Sequence, residues 1–289
     1  MNQRSLGDML AETVNIALLL IISCTMIVPF LYIFSVSFSS VTDVLQNDVL
    51  LWPKEWVLDA YKYILDSSRF TRSLYVSAGI TVIGTAMNLL FTVTMAYALS
   101  RSFRGQKTVL FLVLLSFLFS AGMIPTYLIV KATGLLDTVW AVIIPALISP
   151  WNLIVIREFF KSIPHELHEA ALMDGANDLR IFWSVILPLS KPALATFALF
   201  YAVAHWNAYF SAIIYLNNSS LWPVQVVLRQ IVVVNDSSTL MGGQMAESPP
   251  PAETIQMAAI WIATLPILVV YPFLQKHFAK GVMLGSVKG

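Results

Sequence analysis

LYVSAGITVIGTAMNLLFTVTMAYALS, residues 74–100, runs for 27 residues without an Asp, Glu, Lys or Arg. A helix of about 20 apolar residues crosses a bilayer core that is ~30 Å thick. Apolar and polar residues do not alternate along the stretch, so the pattern is not that of a barrel strand. Because lipid offers no partner for backbone N–H and C=O groups, we expect a helix, which satisfies them internally.

Five further stretches of the chain share this character. Of the 289 residues 58% are hydrophobic and only 11% are charged, more apolar surface than a soluble fold of this length could bury. We therefore predict an all-α polytopic membrane protein, with residues 1–289 forming a single transmembrane domain. The six predicted spans lie at about residues 14–38, 74–100, 108–130, 138–156, 193–216 and 254–275.

The basic residues between the spans predict the orientation. With both termini in the cytoplasm, eleven Lys and Arg residues fall on the inner side and six on the outer side. Cytoplasmic segments retain the excess of basic residues, so this orientation is favoured. It places the loop 157–192 in the cytoplasm and the loops 39–73 and 217–253 outside.

The cytoplasmic loop contains a segment that looks like a soluble helix, HELHEAALMDGANDLRIFWSVILP, residues 165–188. Pro164 suits the first turn of a helix, and Gly175 suits a left-handed cap that ends it after Asp174. Asn177 can cap a second helix, which we expect Leu187-Pro188 to interrupt before the fifth span. An amphipathic helix that rests on the bilayer and a helix that docks onto a partner protein fit these residues equally well.

The spacing of this segment resembles a family signature. The segment matches the EAA motif of ABC importer permeases: Glu169-Ala170-Ala171 is followed after three residues by Gly175, after nine more by Val185, and after one more by Leu187-Pro188. Val185 stands where the motif has an isoleucine. The resemblance extends over all six spans and is strongest to the carbohydrate-uptake branch that includes the maltose permease subunits.

The resemblance implies the partners and the mechanism. Such a permease pairs with a homologous permease subunit, two ATPase subunits and an external solute-binding protein in the bacterial cytoplasmic membrane. The segment around Asp174 docks onto the ATPase, which carries the ATP and Mg, and this chain binds no cofactor. Glu169 would pair with a basic residue of the ATPase, Ala170 and Ala171 would allow close packing, Gly175 would form the turn, and Leu187-Pro188 would pass the motion on.

The solute path is predicted from polar and aromatic residues inside the spans. His205, Trp206 and Tyr209 fall within an arc of ~100° on a helix, with Asn207 beside them. Polar groups in membranes usually face a bundle interior or a wet cavity, although His and Asn also form bonds between helices. The weaker candidates for the path are Trp151, Asn152, Asn88 and Tyr127.

The closing third of the chain looks like a sub-branch associated with oligosaccharides from acidic polysaccharides such as pectin or alginate. A uronate would require cationic partners, yet no predicted span contains Lys or Arg. The residues Lys131 and Arg229 near the outer mouth, or the partner permease, could supply the charge.

Two other classes of function are weighed against the permease. The chain has no Gly-x4-Gly-Lys-Ser/Thr phosphate loop, so ATP hydrolysis is expected on another polypeptide. An ion-gradient-driven sugar carrier or facilitator that needs no ATPase stays open as the alternative, although no predicted span carries an acid. For a membrane enzyme we find no catalytic residues, and we expect no metal, because His165 and His168 are not spaced as in metalloproteases.

Overall fold

A computed structural model describes residues 6–46, 51–234 and 250–281. In these ranges the chain forms helices and one isolated bridge between Ser39 and Trp56, with no longer strand. Three of these helices are long and apolar enough to cross a membrane, and the number rises to six if each of three bent helix pairs counts as one span. The all-α fold class is confirmed.

The described chain has fifteen α-helices and three short helical segments of other types. The α-helices are α1 Leu6–Ser37, α2 Val41–Gln46, α3 Asp59–Asp66, α4 Ser68–Ser100, α5 Gln106–Leu118, α6 Met123–Ala132, α7 Trp140–Ile143, α8 Pro150–Ser162, α9 His165–Met173, α10 Asp178–Ile181, α11 Leu187–Leu189, α12 Lys191–Trp206, α13 Phe210–Tyr215, α14 Val224–Val232 and α15 Ala252–Gly281. The other segments are 3-10 turns at Ile144–Ala146 and Ser219–Leu221 and a π-helical segment at Phe182–Ile186.

Three predicted spans are continuous helices. The spans 14–38, 74–100 and 254–275 correspond to α1, α4 and α15. Helix α4 begins at Ser68, so it takes in the last residues of the predicted outer loop 39–73. Part of the predicted outer loop 217–253, residues 235–249, lies outside the described residues.

The third and fourth predicted spans each consist of two helices in the structure, and that each bent pair crosses the membrane as one span stays a prediction. The stretch 108–130 consists of α5 and α6, whose axes differ by 118° at a break that ends in Gly122, with φ of 80°. The stretch 138–156 consists of α7 with its 3-10 turn and then α8, bent by 50°. Pro150 begins α8, and its ring cannot continue a preceding helix without loss of a hydrogen bond.

The fifth span also differs from the prediction 193–216. Helix α12 begins at Lys191 and ends at Trp206, and residues 207–209 separate it from the short α13. The helical stretch Asp178–Leu189 precedes α12 and meets it at an angle of 81°. Leu187-Pro188 therefore does not interrupt the second helix of the loop, and the bend lies at the buried Ser190.

The chain divides into two compact units. The first holds the chain up to Thr71 and Leu228–Thr264, and the second holds Arg72–Val227 and the chain from Leu265 onward.

Aromatic side chains organise the first unit. The ring of Phe34 contacts those of Trp56 and Trp261, with centroids 5.9 and 5.3 Å apart. Phe38 stacks on Tyr61 of α3 at 4.6 Å. Burial in this cluster raises the pKa of Tyr61 to about 12. The contacts join the end of α1 to α3 and to the first half of α15.

The larger hydrophobic core of the second unit joins the last third of α4 to α5, α8, α10 and α12. Leu99, Leu153, Ile156 and Ile181 are each at most 1% exposed. Because lipid is as apolar as these side chains, close van der Waals packing and not the hydrophobic effect holds such a core together within a membrane. The core therefore fixes the end of α4 beside the segment that contains the EAA spacing.

The buried Arg157 of α8 secures the end of α4. Its Nε donates to the backbone oxygen of Leu99 at 2.8 Å, and its guanidinium pairs with Glu158. Gln106 Nε2 donates to the same oxygen at 2.7 Å. A helix leaves its last four C=O groups without intrahelical donors. The side chains of Arg157 and Gln106 supply the missing donors for the C=O of Leu99.

We predict that Arg157→Met destabilises the permease, because a hydrogen bond from a charged group contributes about 1.5–3 kcal/mol. The measurement is thermal unfolding of the purified protein in detergent, with an expected fall of several degrees. Lys161→Met, which removes an exposed cation from the same helix, is the control and should change stability by no more than ~0.5 kcal/mol. Equal midpoints for both variants would contradict the capping role of Arg157.

Candidate functional site

Helix α9 carries the EAA residues and has well-defined ends. Pro164 precedes it in an extended conformation, so the proline occupies the N-cap and not the first turn. At the other end Gly175 has φ of 76°. The N–H of Ala176 donates to Ala171 O at 3.0 Å and that of Gly175 to Leu172 O at 2.9 Å, which is a Schellman motif. The cap predicted at Gly175 is present.

The two sides of α9 differ in exposure. Glu169, Ala170 and Asp174 are exposed, whereas Ala171 is half-buried against the hydrophobic core of the second unit. Met173 is 88% exposed although it is apolar. Residues four apart share a helix face, so Glu169 and Met173 lie on the same exposed stripe. Glu169 and Ala170 thus lie on an exposed surface, whereas Ala171 contacts the core and anchors the helix.

The chain from α9 to α12 is helical almost throughout. Asn177 Oδ1 accepts a hydrogen bond from the N–H of Arg180 at 2.8 Å, as predicted for an N-cap. The π-helical segment Phe182–Ile186 comes directly before Leu187 and the exposed Pro188. Because a π-helical turn is wider than an α-turn, it accommodates the proline ring without ending the helix.

A cavity of about 700 Å³ lies in the second unit, between the break that joins α5 to α6 and the ends of α8 and α12. Its lining offers hydroxyl, amide and aromatic groups, and no Lys, Arg, Asp or Glu is among the lining residues, all of which the structure describes. The polar and aromatic lining residues are Ser120, Thr126, Ser149, Asn152, Phe200, Tyr201, His205, Asn207, Tyr209, Phe210, Ser211 and Tyr215.

The cavity brings together four of the eight residues predicted for the solute path. His205, Asn207 and Tyr209 line it from the end of α12, and Asn152 lines it from α8. Asn152 is almost buried, and its backbone N–H donates to the Ser149 side chain that caps α8.

The common arc predicted for His205, Trp206 and Tyr209 is wrong. Helix α12 ends at Trp206, so the 3.6-residue period no longer relates Tyr209 to it. Trp206 turns toward a separate apolar cavity of about 180 Å³ that Pro266 of α15 also lines. The structure therefore places Trp206 away from the large cavity.

The remaining three candidates do not line the large cavity. Trp151 is 58% exposed on the outside of α8, with its ring 6.2 Å from that of Phe117. Tyr127 stacks on Tyr215 at 6.4 Å, and only Tyr215 reaches the cavity. Asn88 is fully buried in α4.

Asn88 joins three helical elements. Its Oδ1 lies 2.6 Å from Nε2 of His205, and its Nδ2 donates to the backbone oxygens of Ala146 and Leu147 at 2.6 and 2.9 Å. These carbonyls lie in the break between α7 and α8, where the helix no longer supplies a donor. Asn88 therefore forms bonds between helices, which is the second of the two roles that the sequence left open for His and Asn residues in a membrane.

The sequence did not single out Tyr201, which lies four residues before His205 on the same face of α12. Its hydroxyl bonds to Thr92 at 2.8 Å and accepts from the N–H of Ser149 at 3.4 Å. The i, i+4 spacing of Tyr201 and His205 matches that of Thr92 and Asn88 on α4. Polar residues at i, i+4 spacing on both α4 and α12 were therefore the signal in the sequence that could have identified Tyr201.

We predict that Gly84→Ala destabilises the second unit. A Cβ at Gly84 would lie 2.6 Å from Nε2 of His205, so the ring must move and its bond to Asn88 must lengthen. Overpacking of this kind costs about 1–3 kcal/mol. Thermal unfolding in detergent measures the effect.

Gly79→Ala is the matched control on the same helix, because a Cβ there meets nothing within 4 Å. It should leave stability unchanged or raise it by about 0.5–1 kcal/mol, since alanine favours helix over glycine. A Gly84→Ala midpoint that equals that of Gly79→Ala would show that the His205 ring is not confined.

Comparison with known proteins agrees with the EAA spacing and with the helical fold. The family model described as "Binding-protein-dependent transport system inner membrane component" matches residues 89–284. Protein LplC of Bacillus subtilis (strain 168) is 52% identical over 279 residues, covering 96% of this chain and 95% of that protein.

Two further relatives are named for what they transport. The polygalacturonan/rhamnogalacturonan transport system permease protein YtcP of Bacillus subtilis (strain 168) is 50% identical, over 94% of this chain and 96% of that protein. A chain of a bacterial ABC transporter involved in the import of the acidic polysaccharide alginate superposes with a TM-score of 0.91. The two are 37% identical, and the match covers 96% of this chain and all of that chain. The chain belongs to the binding-protein-dependent transport system inner membrane component family, and it is a permease subunit of an ABC transporter.

Proposed function

We propose that this permease subunit pairs with a homologous permease to form the path for an oligosaccharide, which an external solute-binding protein delivers and two ATPase subunits drive inward. ATP and Mg are bound by the ATPase and not by this chain. In this proposal residues 1–289 form one transmembrane domain of a bacterial inner membrane, with both termini and α9 in the cytoplasm.

The exposed face of α9 carries the proposal. Met173 and Leu172 are 88% and 47% exposed, and an apolar surface of this kind calls for a covering partner. Glu169 lies on the same stripe and its carboxylate is exposed, bonded only to His165 Nδ1 at 3.1 Å among the contacts described. Lipid would cover Met173 but would exclude the carboxylate, whereas a protein groove with an arginine accommodates both. A docking partner therefore fits this face better than the bilayer does.

The large cavity supports a carbohydrate substrate. Hydroxyl and amide groups bond sugar hydroxyls, and aromatic rings such as that of Tyr209 provide flat apolar contact. The relatives named for polygalacturonan, rhamnogalacturonan and alginate favour an acidic oligosaccharide. Because no cationic residue lines the cavity in the described chain, we propose that the carboxylates are met by the partner permease.

We predict that Glu169→Ala and Gly175→Asp each uncouple transport. The first removes the carboxylate from the docking face, and the second forces a β-carbon into a left-handed conformation at φ of 76°. ATP-dependent uptake of the oligosaccharide into proteoliposomes should fall about tenfold or more, as expected from loss of a charged contact of ~1.5–3 kcal/mol.

Glu166→Ala is the control, because it removes an exposed carboxylate from the first turn of the same helix. It should retain most of the uptake. Normal ATP-dependent uptake with Glu169→Ala and Gly175→Asp would contradict the docking role of α9. Uptake in the absence of both ATP and an ATPase would instead favour an ion-gradient-driven carrier or facilitator.

We predict that Tyr209→Ala weakens transport at the cavity while the ATPase stays bound. Loss of a central aromatic contact costs more than ~1 kcal/mol, so uptake at low oligosaccharide concentration should fall about fivefold. Tyr75→Ala removes a 79% exposed tyrosine from α4 and is the control. If both variants transport as the unmodified permease does, the cavity is not part of the solute path.

A further inference from the structure

A polar side-chain contact joins α9 to the end of α4, in addition to the chain connections of α9 with α8 and α10. Arg101 is the first residue after α4, and its Nη2 lies 3.0 Å from Nδ1 of His168 on α9. The side chain of His168 is 11% exposed, whereas those of His165 and Glu169 on the same helix are 70% and 65% exposed. His168 therefore points inward from a helix whose other ionisable side chains face outward.

The chemistry of the pair fixes the state of the imidazole. An arginine guanidinium carries only donors and stays charged in proteins, so Nδ1 of His168 must be the acceptor. A histidine that accepts at Nδ1 is neutral and carries its proton on Nε2. That nitrogen lies 4.0 Å from the carboxylate of Asp178 at the start of α10.

The α4 end of the connection is held firmly. The Arg101 guanidinium lies over the ring of Tyr97, 5.1 Å from its centroid. Tyr97 in turn contacts Phe182 at 4.8 Å and Phe160 at 6.3 Å. Two residues before Arg101, Leu99 O accepts hydrogen bonds from two side chains of neighbouring helices. A displacement of His168 therefore acts on a rigid helix terminus and not on a loose side chain.

We propose that the Arg101–His168 hydrogen bond is a tether that transmits displacement of α9 to α4, which makes both residues positioning residues for energy coupling. This inference rests on the proposed docking of α9 onto an ATPase. In that function the tether adds a polar contact to the chain connections of α9 with α8 and α10 and to the packing of Ala171 against the core. It reaches the helix that also carries Asn88 and Thr92, whose side chains bond to the elements around the large cavity.

The tether is sensitive to pH because it requires a neutral imidazole. Desolvation and the nearby Arg101 hold the pKa of His168 below its ordinary value of about 6.5, and His165 acts in the same direction. Asp178 and Glu169 oppose the shift. The lowered pKa keeps His168 neutral at physiological pH. As the pH falls through that pKa, the ring loses its acceptor and gains a charge of the same sign as Arg101, so the tether breaks.

The experiment uses the assembled transporter in proteoliposomes and measures oligosaccharide uptake per ATP hydrolysed, together with ATPase co-purification. Arg101→Met and His168→Leu should each lower the ratio about tenfold or more, the effect of one lost hydrogen bond to a charged group. The ATPase subunits should still co-purify. The double variant should be no worse than either single variant, because both remove the same bond.

Two further variants separate the tether from general damage. Arg104→Met removes an exposed cation from the same loop and should leave the ratio unchanged. His168→Gln keeps an acceptor oxygen that cannot be protonated in this range. It should therefore couple at neutral pH and should lack the fall in the ratio that the unmodified permease shows as the pH drops below the ordinary histidine pKa of about 6.5.

The outcomes that contradict the tether differ from those that contradict docking. An unchanged ratio with Arg101→Met, or additive losses in the double variant, would overturn the tether. If His168→Leu fails to fold, the pH profile of His168→Gln decides, and a profile identical to that of the unmodified permease overturns the proposal. Normal uptake with Glu169→Ala would instead remove the docking function on which the tether rests.

Discussion

A helix that breaks inside a membrane must find a partner for each backbone N–H and C=O that the break frees, because lipid supplies none. The second unit of this permease has three bent helix pairs, of which two lie within predicted spans, α5 with α6 and α7 with α8. At the break between α7 and α8, Asn88 donates to the carbonyls of Ala146 and Leu147, and the N–H of Ser149 donates to Tyr201. Buried side chains thus satisfy the backbone groups that this break frees in the wall of the cavity.

The same constraint connects the face of α9 that we propose for docking with the wall of the large cavity. The donors and acceptors at the break come from α4 and α12, which also form the core beside α9. Helix α4 thus carries Asn88 and Thr92 at the break between α7 and α8 and leads at its end to Arg101, which bonds to α9. Movement of α9 would act on a helix whose polar side chains fix the wall of the cavity. In the proposed function, α4 therefore serves both the energy coupling and the solute path.

Local signals account for what the sequence predicted well. The length of the apolar stretches, Gly175 as a left-handed cap and Asn177 as an N-cap depend on a residue and its near neighbours, and each is present in the structure. The spacing from Glu169 to Pro188 indicated the family, which the comparisons show independently. By contrast, the sequence alone predicted continuous third, fourth and fifth spans, since prolines and glycines are common in membrane helices and do not reveal where a helix bends.

The site was predicted only in part, and the misses have one physical origin. The side chains of Asn88 and His205, 117 positions apart, bond to each other, and Arg101 and His168 are 67 positions apart. Helical periodicity relates residues within a helix and gives no information on which faces of two helices meet. The helical period also does not relate Tyr209 to Trp206, because α12 ends at Trp206. The sequence by itself determined the apolar helices, their caps and the docking signature, because these depend on local chemistry. Only the tertiary structure decided where the spans break, which residues line the cavity and how α9 is tied to α4, because those depend on contacts between distant helices.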